Sequence, residues 1–165
     1  MYLWDFASQK NQKMKRILMV CLGNICRSPL AEGILASKVD PDQVFVDSAG
    51  TAAYHIGELP DSRSIAVARK YGIDLTYQRA RKFTAKDFSK FDKIYAMDEH
   101  NYRNILSLAK NKDEAKKVKM IRNEVNPQQN LSVPDPYYGG DQGFENVYQM
   151  LDEACGIIAE RLENE

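Results

Sequence analysis

Ile17-Leu-Met-Val-Cys-Leu-Gly-Asn-Ile-Cys-Arg-Ser-Pro29 is the stretch that decides the fold. Its first four residues form a continuous apolar run, which is typical of a strand buried on both faces of a parallel sheet. The glycine-containing segment that follows predicts a turn. Ser28 and Pro29 predict the start of a helix, because proline fits the first helical turn. The stretch therefore predicts a strand, a tight loop and a helix in direct succession.

Strand and helix patterns alternate along the rest of the chain. Apolar segments predict strands at 44–46, 93–97 and 117–121. Helices are predicted at 61–71, where Asp61 is the cap and Gly72 the stop, and at 99–109 and 144–162. This alternation predicts an α/β fold, a four-stranded parallel sheet flanked by helices on both faces. Ligands of such sheets bind beyond the carboxyl ends of the strands, so we expect the site at the loop after the first strand.

The composition is that of one globular domain. Hydrophobic residues make up 44% of the 165 residues and charged residues 28%, close to the averages for globular proteins. The 23 Lys and Arg balance the 23 Asp and Glu, so no nucleic acid or membrane is expected as a partner. Three cysteines and no apolar run of about 20 residues indicate a cytoplasmic protein rather than a secreted or membrane-spanning one. A second methionine, Met14, divides the chain into an N-terminal extension, 1–13, and a domain, 14–165.

The loop after the first predicted strand combines an anion site with a nucleophile. A tight loop can turn its backbone N–H groups around an anion, and the helix start adds its positive dipole end. Arg27 can donate two parallel hydrogen bonds to phosphate oxygens, and the same field favours the thiolate form of Cys21. The pattern predicts Cys21 as nucleophile and Arg27 as phosphate ligand. The remaining phosphate-binding residues are predicted to be Leu22, Gly23, Asn24, Ile25, Cys26 and Ser28.

A metal site is disfavoured in this loop. Cys21 and Cys26 have a spacing unlike that of the common zinc pairs, and no second pair of Cys or His completes four ligands. Arg27 and the loop already neutralise a phosphate, so neither a metal nor another cofactor is expected.

Residues 20–32 resemble the signature of the low-molecular-weight protein-tyrosine phosphatases nearly residue for residue. Three later segments resemble the same family in the same order, namely Asp47-Ser-Ala-Gly-Thr51, Met97-Asp-Glu99 and Asp135-Pro-Tyr-Tyr138. The likeness covers about residues 14–162. It implies an enzyme that hydrolyses phosphotyrosine, an aryl phosphate ester, through a phosphocysteine intermediate. The implied partner is a tyrosine-phosphorylated protein.

The resemblance also implies roles for residues outside the loop. Asp135 would protonate the departing phenolate and later activate water, although an isolated Pro-Asp-Pro is more often a turn. Tyr54, Tyr137 and Tyr138 would form the walls of a deep aryl-binding cleft. Ser48, with Asn24, would brace the phosphate loop, and Asp98 would orient Arg27, the alternative being ordinary capping or turn roles.

Two features of the resemblance leave questions open. Gln78 stands where many family members have a histidine that also braces the loop, so the nucleophile's environment could differ here. Cys26 would form a reversible disulfide with Cys21 that protects the nucleophile from over-oxidation, which makes redox regulation an expectation. The alternative is that Cys26 is a small filler residue. Cys155 is expected to pack in the core.

Three other functions are weighed against a tyrosine phosphatase. A protein-arginine phosphatase on the same scaffold is disfavoured by Ile25, where such enzymes tend to have threonine. A thiol-dependent arsenate reductase is disfavoured because Cys155 lacks a nearby cysteine partner. A non-catalytic phosphate-binding module is disfavoured by the intact Cys21, Arg27 and Asp135. The tyrosine-lined cleft suggests a monomer or a weak homodimer.

Overall fold

The computed structural model describes residues 13–165, apart from the side chain of Tyr138. All but the last residue of the predicted extension 1–13 therefore lies outside the described residues. The strands are β1 (Lys15–Cys21), β2 (Val44–Gly50), β3 (Lys93–Ala96) and β4 (Val118–Met120). They form one sheet in the order β2-β1-β3-β4, and every neighbouring pair is parallel. The predicted four-stranded parallel sheet is confirmed.

Besides the strands, residues 13–165 form six α-helices and two short 3-10 turns. The helices are α1 (Arg27–Ala36), α2 (Ser62–Lys70), α3 (Asp87–Lys90), α4 (Glu99–Leu106), α5 (Lys112–Lys116) and α6 (Gly140–Glu163). The 3-10 turns are Ile121–Glu124 and Pro136–Tyr138. Helices α3 and α5 were not predicted, because five residues or fewer are too few to show a helical period. Helix α6 begins four residues before the predicted start, since its first turn packs against the turn at Pro136–Tyr138.

The helices cover both faces of the sheet, as predicted. Alternate side chains of β1 point to opposite faces, so Ile17 and Met19 join one apolar cluster while Leu18 and Val20 join the other. The first cluster includes side chains of α1, α2 and α6, and the second those of α3 and α4. Each fully buried aliphatic side chain contributes about 1.5–3 kcal/mol relative to exposure. Cys155 lies in the first cluster and is fully buried, as expected.

The carboxyl ends of three strands meet at one edge of this sheet. Cys21, the last residue of β1, pairs with Gly50, the last residue of β2. Asp98 follows β3 and caps α4. We therefore expect the predicted site residues at the edge of the sheet that contains Cys21.

Within residues 13–165, no helix combines the length and the apolar character needed to cross a bilayer.

Candidate active site

The loop between β1 and α1 is held in place through its carbonyl groups. The O atoms of Cys21, Leu22 and Ile25 accept hydrogen bonds from the N atoms of Thr51 (2.9 Å), Ala52 (2.9 Å) and Asp61 (2.8 Å). The amides of residues 22–26, in contrast, donate to no carbonyl group among the described residues. Carbonyls turned outward and amides left without a protein partner are the arrangement of an anion-binding nest. The backbone of the predicted phosphate-binding loop is thus compatible with an anion site, and phosphate binding stays a prediction.

Asn24 fixes the shape of this loop. Its φ of 59° lies in the left-handed region, which asparagine tolerates better than most residues. Its Nδ2 donates to Ser28 Oγ at 2.8 Å and to Ser48 Oγ at 3.0 Å, while its Oδ1 accepts from the N atom of Arg81 at 3.0 Å. The structure thus brings Asn24 and Ser48 together beneath the loop, in the positions expected of bracing residues.

Gly50 is a functional position that had no predicted role. A Cβ atom at Gly50 would lie 2.7 Å from the O atom of Leu22 and 3.1 Å from the N atom of Asn24. Real Cβ atoms do not approach backbone this closely, so a side chain here would displace the phosphate loop. The signal in the sequence was a glycine at the end of a strand, which often marks close approach of another backbone.

Cys21 lies at the base of the loop. It is buried, and its Sγ is 3.0 Å from Ser28 Oγ. Ser28 Oγ also accepts from Asn24, and if Cys21 is a thiolate the hydrogen between Oγ and Sγ can come only from the Ser28 hydroxyl. The competing acceptor, the O atom of Ala49, is farther away at 3.4 Å. Ser28 is therefore placed to stabilise a thiolate at Cys21 by a hydrogen bond.

Arg27 is the most constrained charged side chain of the site, with 4% of its side chain exposed. Its Nη1 donates to Asp98 Oδ2 at 2.7 Å and to the O atom of Val133 at 2.9 Å. Burial disfavours the guanidinium charge, but the negative groups of Cys21 and Asp98 outweigh burial and raise the pKa of Arg27. The other oxygen of Asp98 caps α4. Asp98 thus holds Arg27 with one oxygen and a helix with the other.

Asp135 reaches the same site from a distant part of the chain. Its Oδ1 accepts from the N atom of Tyr137 at 3.0 Å, so the residue does form a turn. Its Oδ2 lies 4.0 Å from Arg27 Nη2, and 44% of its side chain is exposed. A turn and a catalytic role are therefore compatible at Asp135, because one carboxylate oxygen accepts the hydrogen bond of the turn while the other faces Arg27.

Exposed tyrosines lie on segments next to the site. Tyr54 is 76% exposed and Tyr137 is 42% exposed. The ring of His55, next to Tyr54, lies against Gly23 of the phosphate loop. The N atom of Tyr137 donates a hydrogen bond to Asp135. Tyr138, the third predicted cleft residue, has its side chain outside the described residues. Tyr54 and Tyr137 are therefore accessible to a ligand, each on a segment in contact with a different part of the site.

All three cysteines are free thiols in this structure. Burial, together with the negative charges of Asp61 and Cys21, raises the pKa of the Cys26 thiol to about 12. Cys26 is therefore protonated at neutral pH and does not compete with Cys21 as a nucleophile. The reversible disulfide between them stays a prediction.

Across residues 13–165, no group of three or more His, Cys, Asp or Glu side chains could hold a metal ion.

A buried carboxyl group stands behind the bracing residues. Glu32, on α1, is 4% exposed and accepts from Ser48 Oγ at 2.7 Å and from the Tyr77 hydroxyl at 2.6 Å. Gln78 donates to the O atom of Pro29 at 3.0 Å and so contacts the start of α1 rather than the loop itself. The sequence did not predict that Glu32 and Tyr77 stand behind the site, because a glutamate within a helix is usually exposed.

Glu32→Gln is expected to change how stability depends on pH. Burial raises the pKa of Glu32 from 4.5 to about 7, with Asp47 adding to the rise while Tyr77, Ser48 and Arg81 oppose it. The folded state therefore binds a proton at Glu32 more tightly than the unfolded state does. The resulting stabilisation of the folded state is complete below about pH 4.5 and is lost as pH rises through 7. The shift corresponds to about 3 kcal/mol of unfolding free energy.

Urea unfolding at pH 5 and pH 8 measures this effect. The wild type should lose more stability than Glu32→Gln between the two pH values, because the glutamine cannot ionise. Glu153→Gln, an exposed position on α6, is the matched control and should behave as the wild type. Equal losses in the wild type and Glu32→Gln would contradict the prediction.

Comparison with known proteins identifies the family to which this chain belongs. The family model for low molecular weight phosphotyrosine protein phosphatase matches residues 16–165. The human low molecular weight phosphotyrosine protein phosphatase is 40% identical over 155 residues, covering 91% of this chain and 97% of that protein. A crystal structure of a protein tyrosine phosphatase from Entamoeba histolytica aligns with a TM-score of 0.84 at 36% identity, covering 91% of this chain and 97% of that one.

A second solved structure shows a related protein with a ligand. Wzb of Vibrio vulnificus, in complex with benzylphosphonate, aligns with a TM-score of 0.81 at 29% identity, covering 90% of this chain and 99% of that one. The family match spans nearly all of the described residues, and the similarity in sequence and in fold extends over almost the full length of the relatives. The chain therefore belongs to the low-molecular-weight protein-tyrosine-phosphatase family of enzymes.

Proposed function

We propose that this protein hydrolyses phosphotyrosine in proteins through a phosphocysteine intermediate. The supporting observation is the convergence of three groups: Cys21 at the base of the loop, Arg27 at its end, and Asp135 with one oxygen 4.0 Å from Arg27. The loop and Arg27 supply donors for a phosphate, Cys21 supplies a nucleophile, and Asp135 supplies a proton donor. All three are needed to cleave an aryl phosphate by double displacement.

In the first step, the thiolate of Cys21 attacks phosphorus. A sulfur–phosphorus bond forms, and the bond between phosphorus and the aryl oxygen breaks. The protonated carboxyl of Asp135 gives its proton to the departing phenolate, which leaves as a neutral phenol. Arg27 and the amides of residues 22–28 donate to the non-bridging oxygens, where charge develops in the transition state. Because Asp98 and the O atom of Val133 hold Arg27, little reorganisation is needed.

In the second step, water replaces the cysteine. Asp135, now a carboxylate, takes a proton from water as the water oxygen bonds to phosphorus, and the sulfur–phosphorus bond breaks. Inorganic phosphate leaves, and the electron pair returns to Cys21 as a thiolate. The hydroxyl of Ser28, 3.0 Å from Sγ, stabilises that thiolate. Asp135 regains its proton, so the cycle closes with no other reagent than water.

The surroundings of the loop favour an aryl ester as substrate. Tyr54 and Tyr137 offer exposed rings on segments beside the site, and an aromatic leaving group can stack on them. Benzylphosphonate, the ligand in the Vibrio vulnificus Wzb structure, carries an aromatic ring on a phosphonate and is similar in shape to phosphotyrosine. An arsenate reductase would require further accessible thiols, whereas Cys26 and Cys155 are both buried. These observations favour the phosphatase.

A comparison of matched peptides tests the substrate assignment. Peptides of one sequence carrying phosphotyrosine, phosphoserine or phosphoarginine are assayed by phosphate release under reducing conditions with a chelator present. We expect kcat/KM for phosphotyrosine to exceed the other two values by about 10²-fold or more. A preference for phosphoarginine would make the substrate assignment wrong. No turnover of any peptide or of p-nitrophenyl phosphate would favour a phosphate-binding module.

A further inference from the structure

One arginine at the start of α2 joins three segments around the site. Arg63 Nε and Nη2 each donate to a different carboxylate oxygen of Asp61 at 3.0 Å. Its Nη1 donates to the O atom of Tyr137 at 2.9 Å. The guanidinium carbon also lies 5.2 Å from the ring centre of Tyr137 and 4.6 Å from that of Phe144. Planar stacking combined with a two-point ion pair uses properties that arginine has and lysine lacks.

Two of the residues that Arg63 contacts are firmly anchored. The N atom of Asp61 donates to the O atom of Ile25 at 2.8 Å, so Asp61 is bonded directly to the phosphate loop. Phe144, the fifth residue of α6, is almost fully buried. Arg63 therefore links the third residue, Tyr137, to fixed parts of the fold.

Asp135 and Tyr137 belong to the same turn. The N atom of Tyr137 donates to Asp135 Oδ1 at 3.0 Å, so a contact that fixes Tyr137 also bears on the carboxylate of Asp135. Arg27 does not fix the carboxylate, because 4.0 Å between Nη2 and Oδ2 exceeds the length of a hydrogen bond. The turn is followed by Gly139 and by Gly140, which has a φ of 69°, and glycines constrain the chain little. The turn is anchored before Asp135 by Val133, whose O atom accepts from Arg27, and after it by Pro136, which packs against Gly143 of α6. Arg63 adds a hydrogen bond and a ring contact on the exposed side of the turn, at Tyr137.

We propose that Arg63 is a positioning residue that holds the turn carrying Asp135 against the phosphate loop and thereby controls protonation of the leaving group. The proposal rests on the proposed function, in which Asp135 is the proton donor. Isolated surface ion pairs contribute little to stability. We therefore assign Arg63 a role in geometry rather than in stability. Misplacing a catalytic group by about 1 Å can cost about 10²-fold in rate.

Leaving-group dependence separates this role from a structural one. p-Nitrophenol departs easily without a proton, whereas phenol, whose acidity resembles that of a tyrosine side chain, needs one. We expect the ratio of kcat/KM for p-nitrophenyl phosphate to kcat/KM for phenyl phosphate to rise at least about tenfold in Arg63→Gln. Asp135→Asn should raise the same ratio. Arg69→Gln, an exposed position on the same helix, is the matched control and should leave the ratio unchanged.

The ratio is independent of the amount of folded enzyme, so partial unfolding of Arg63→Gln cannot imitate the effect. In the Asp135→Asn background, Arg63→Gln should cause no further rise, because both changes remove the same proton transfer. A further rise there, or an unchanged ratio in Arg63→Gln when Asp135→Asn raises it, would overturn the proposal for Arg63 and leave the proposed function intact. An unchanged ratio in Asp135→Asn would instead overturn the proton-donor role of Asp135, and the inference with it.

Discussion

Cys21→Ser is expected to lower kcat/KM for p-nitrophenyl phosphate by about 10⁴-fold or more, as removal of a covalent nucleophile does in other enzymes. A serine hydroxyl is not ionised at neutral pH, and the side chain 3.0 Å from this position, Ser28, carries a hydroxyl that is not a base. The amides of residues 22–28 and Arg27 are unchanged by the substitution. The variant should therefore still bind inorganic phosphate, as titration calorimetry would show.

Cys155→Ser is the matched control for this substitution. Cys155 is buried in α6, where its Sγ lies 3.7 Å from the O atom of Ala31 as a hydrogen-bond donor, and a serine can donate to the same oxygen. Its kcat/KM should stay within about threefold of the wild type, because a buried thiol far from the reaction affects only stability. If Cys21→Ser retained more than a few per cent of wild-type turnover, the phosphocysteine intermediate would be wrong.

Arg27→Lys is expected to lower kcat/KM by about 10³-fold, within the range for loss of an arginine that stabilises a transferring phosphoryl group. Lysine keeps the positive charge but has no planar fork. It cannot reach Asp98, the O atom of Val133 and two phosphate oxygens at once, as the guanidinium can. The loss should appear in kcat more than in KM, because charge on the non-bridging oxygens is stabilised mainly in the transition state.

An arginine-to-lysine substitution on α4, away from the site, controls for the loss of a guanidinium. Arg103, on α4, is exposed and forms an ion pair with Glu99 at 3.8 Å, so Arg103→Lys should leave kcat/KM unchanged. Steady-state kinetics and thermal unfolding on the three proteins distinguish catalysis from stability. A loss of less than about tenfold in folded Arg27→Lys would mean that charge alone is sufficient at this position.

The parts of the site that were predicted from the residues alone, without the family resemblance, lie within one continuous stretch. Cys21, Arg27 and Ser28 are brought together by a strand, a turn and a helix start, and each of these has a local signal: an apolar run, a glycine and a proline in the first helical turn. Asp135 was assigned by resemblance rather than by chemistry, and the proximity of its carboxylate to Arg27 required the folded chain.

The sequence by itself determined the α/β class, the number and direction of the strands, and the loop with its nucleophile and its arginine. These features depend on residue period, capping and spacing, which act between near neighbours in the chain. The tertiary structure alone decided what surrounds them. Arg27 is held by the O atom of Val133, 106 residues away, Gly50 touches the backbone of the loop, and Arg63 reaches Tyr137 across 74 residues. Contacts at such separations depend on how whole layers pack, so no local pattern in the sequence contains them.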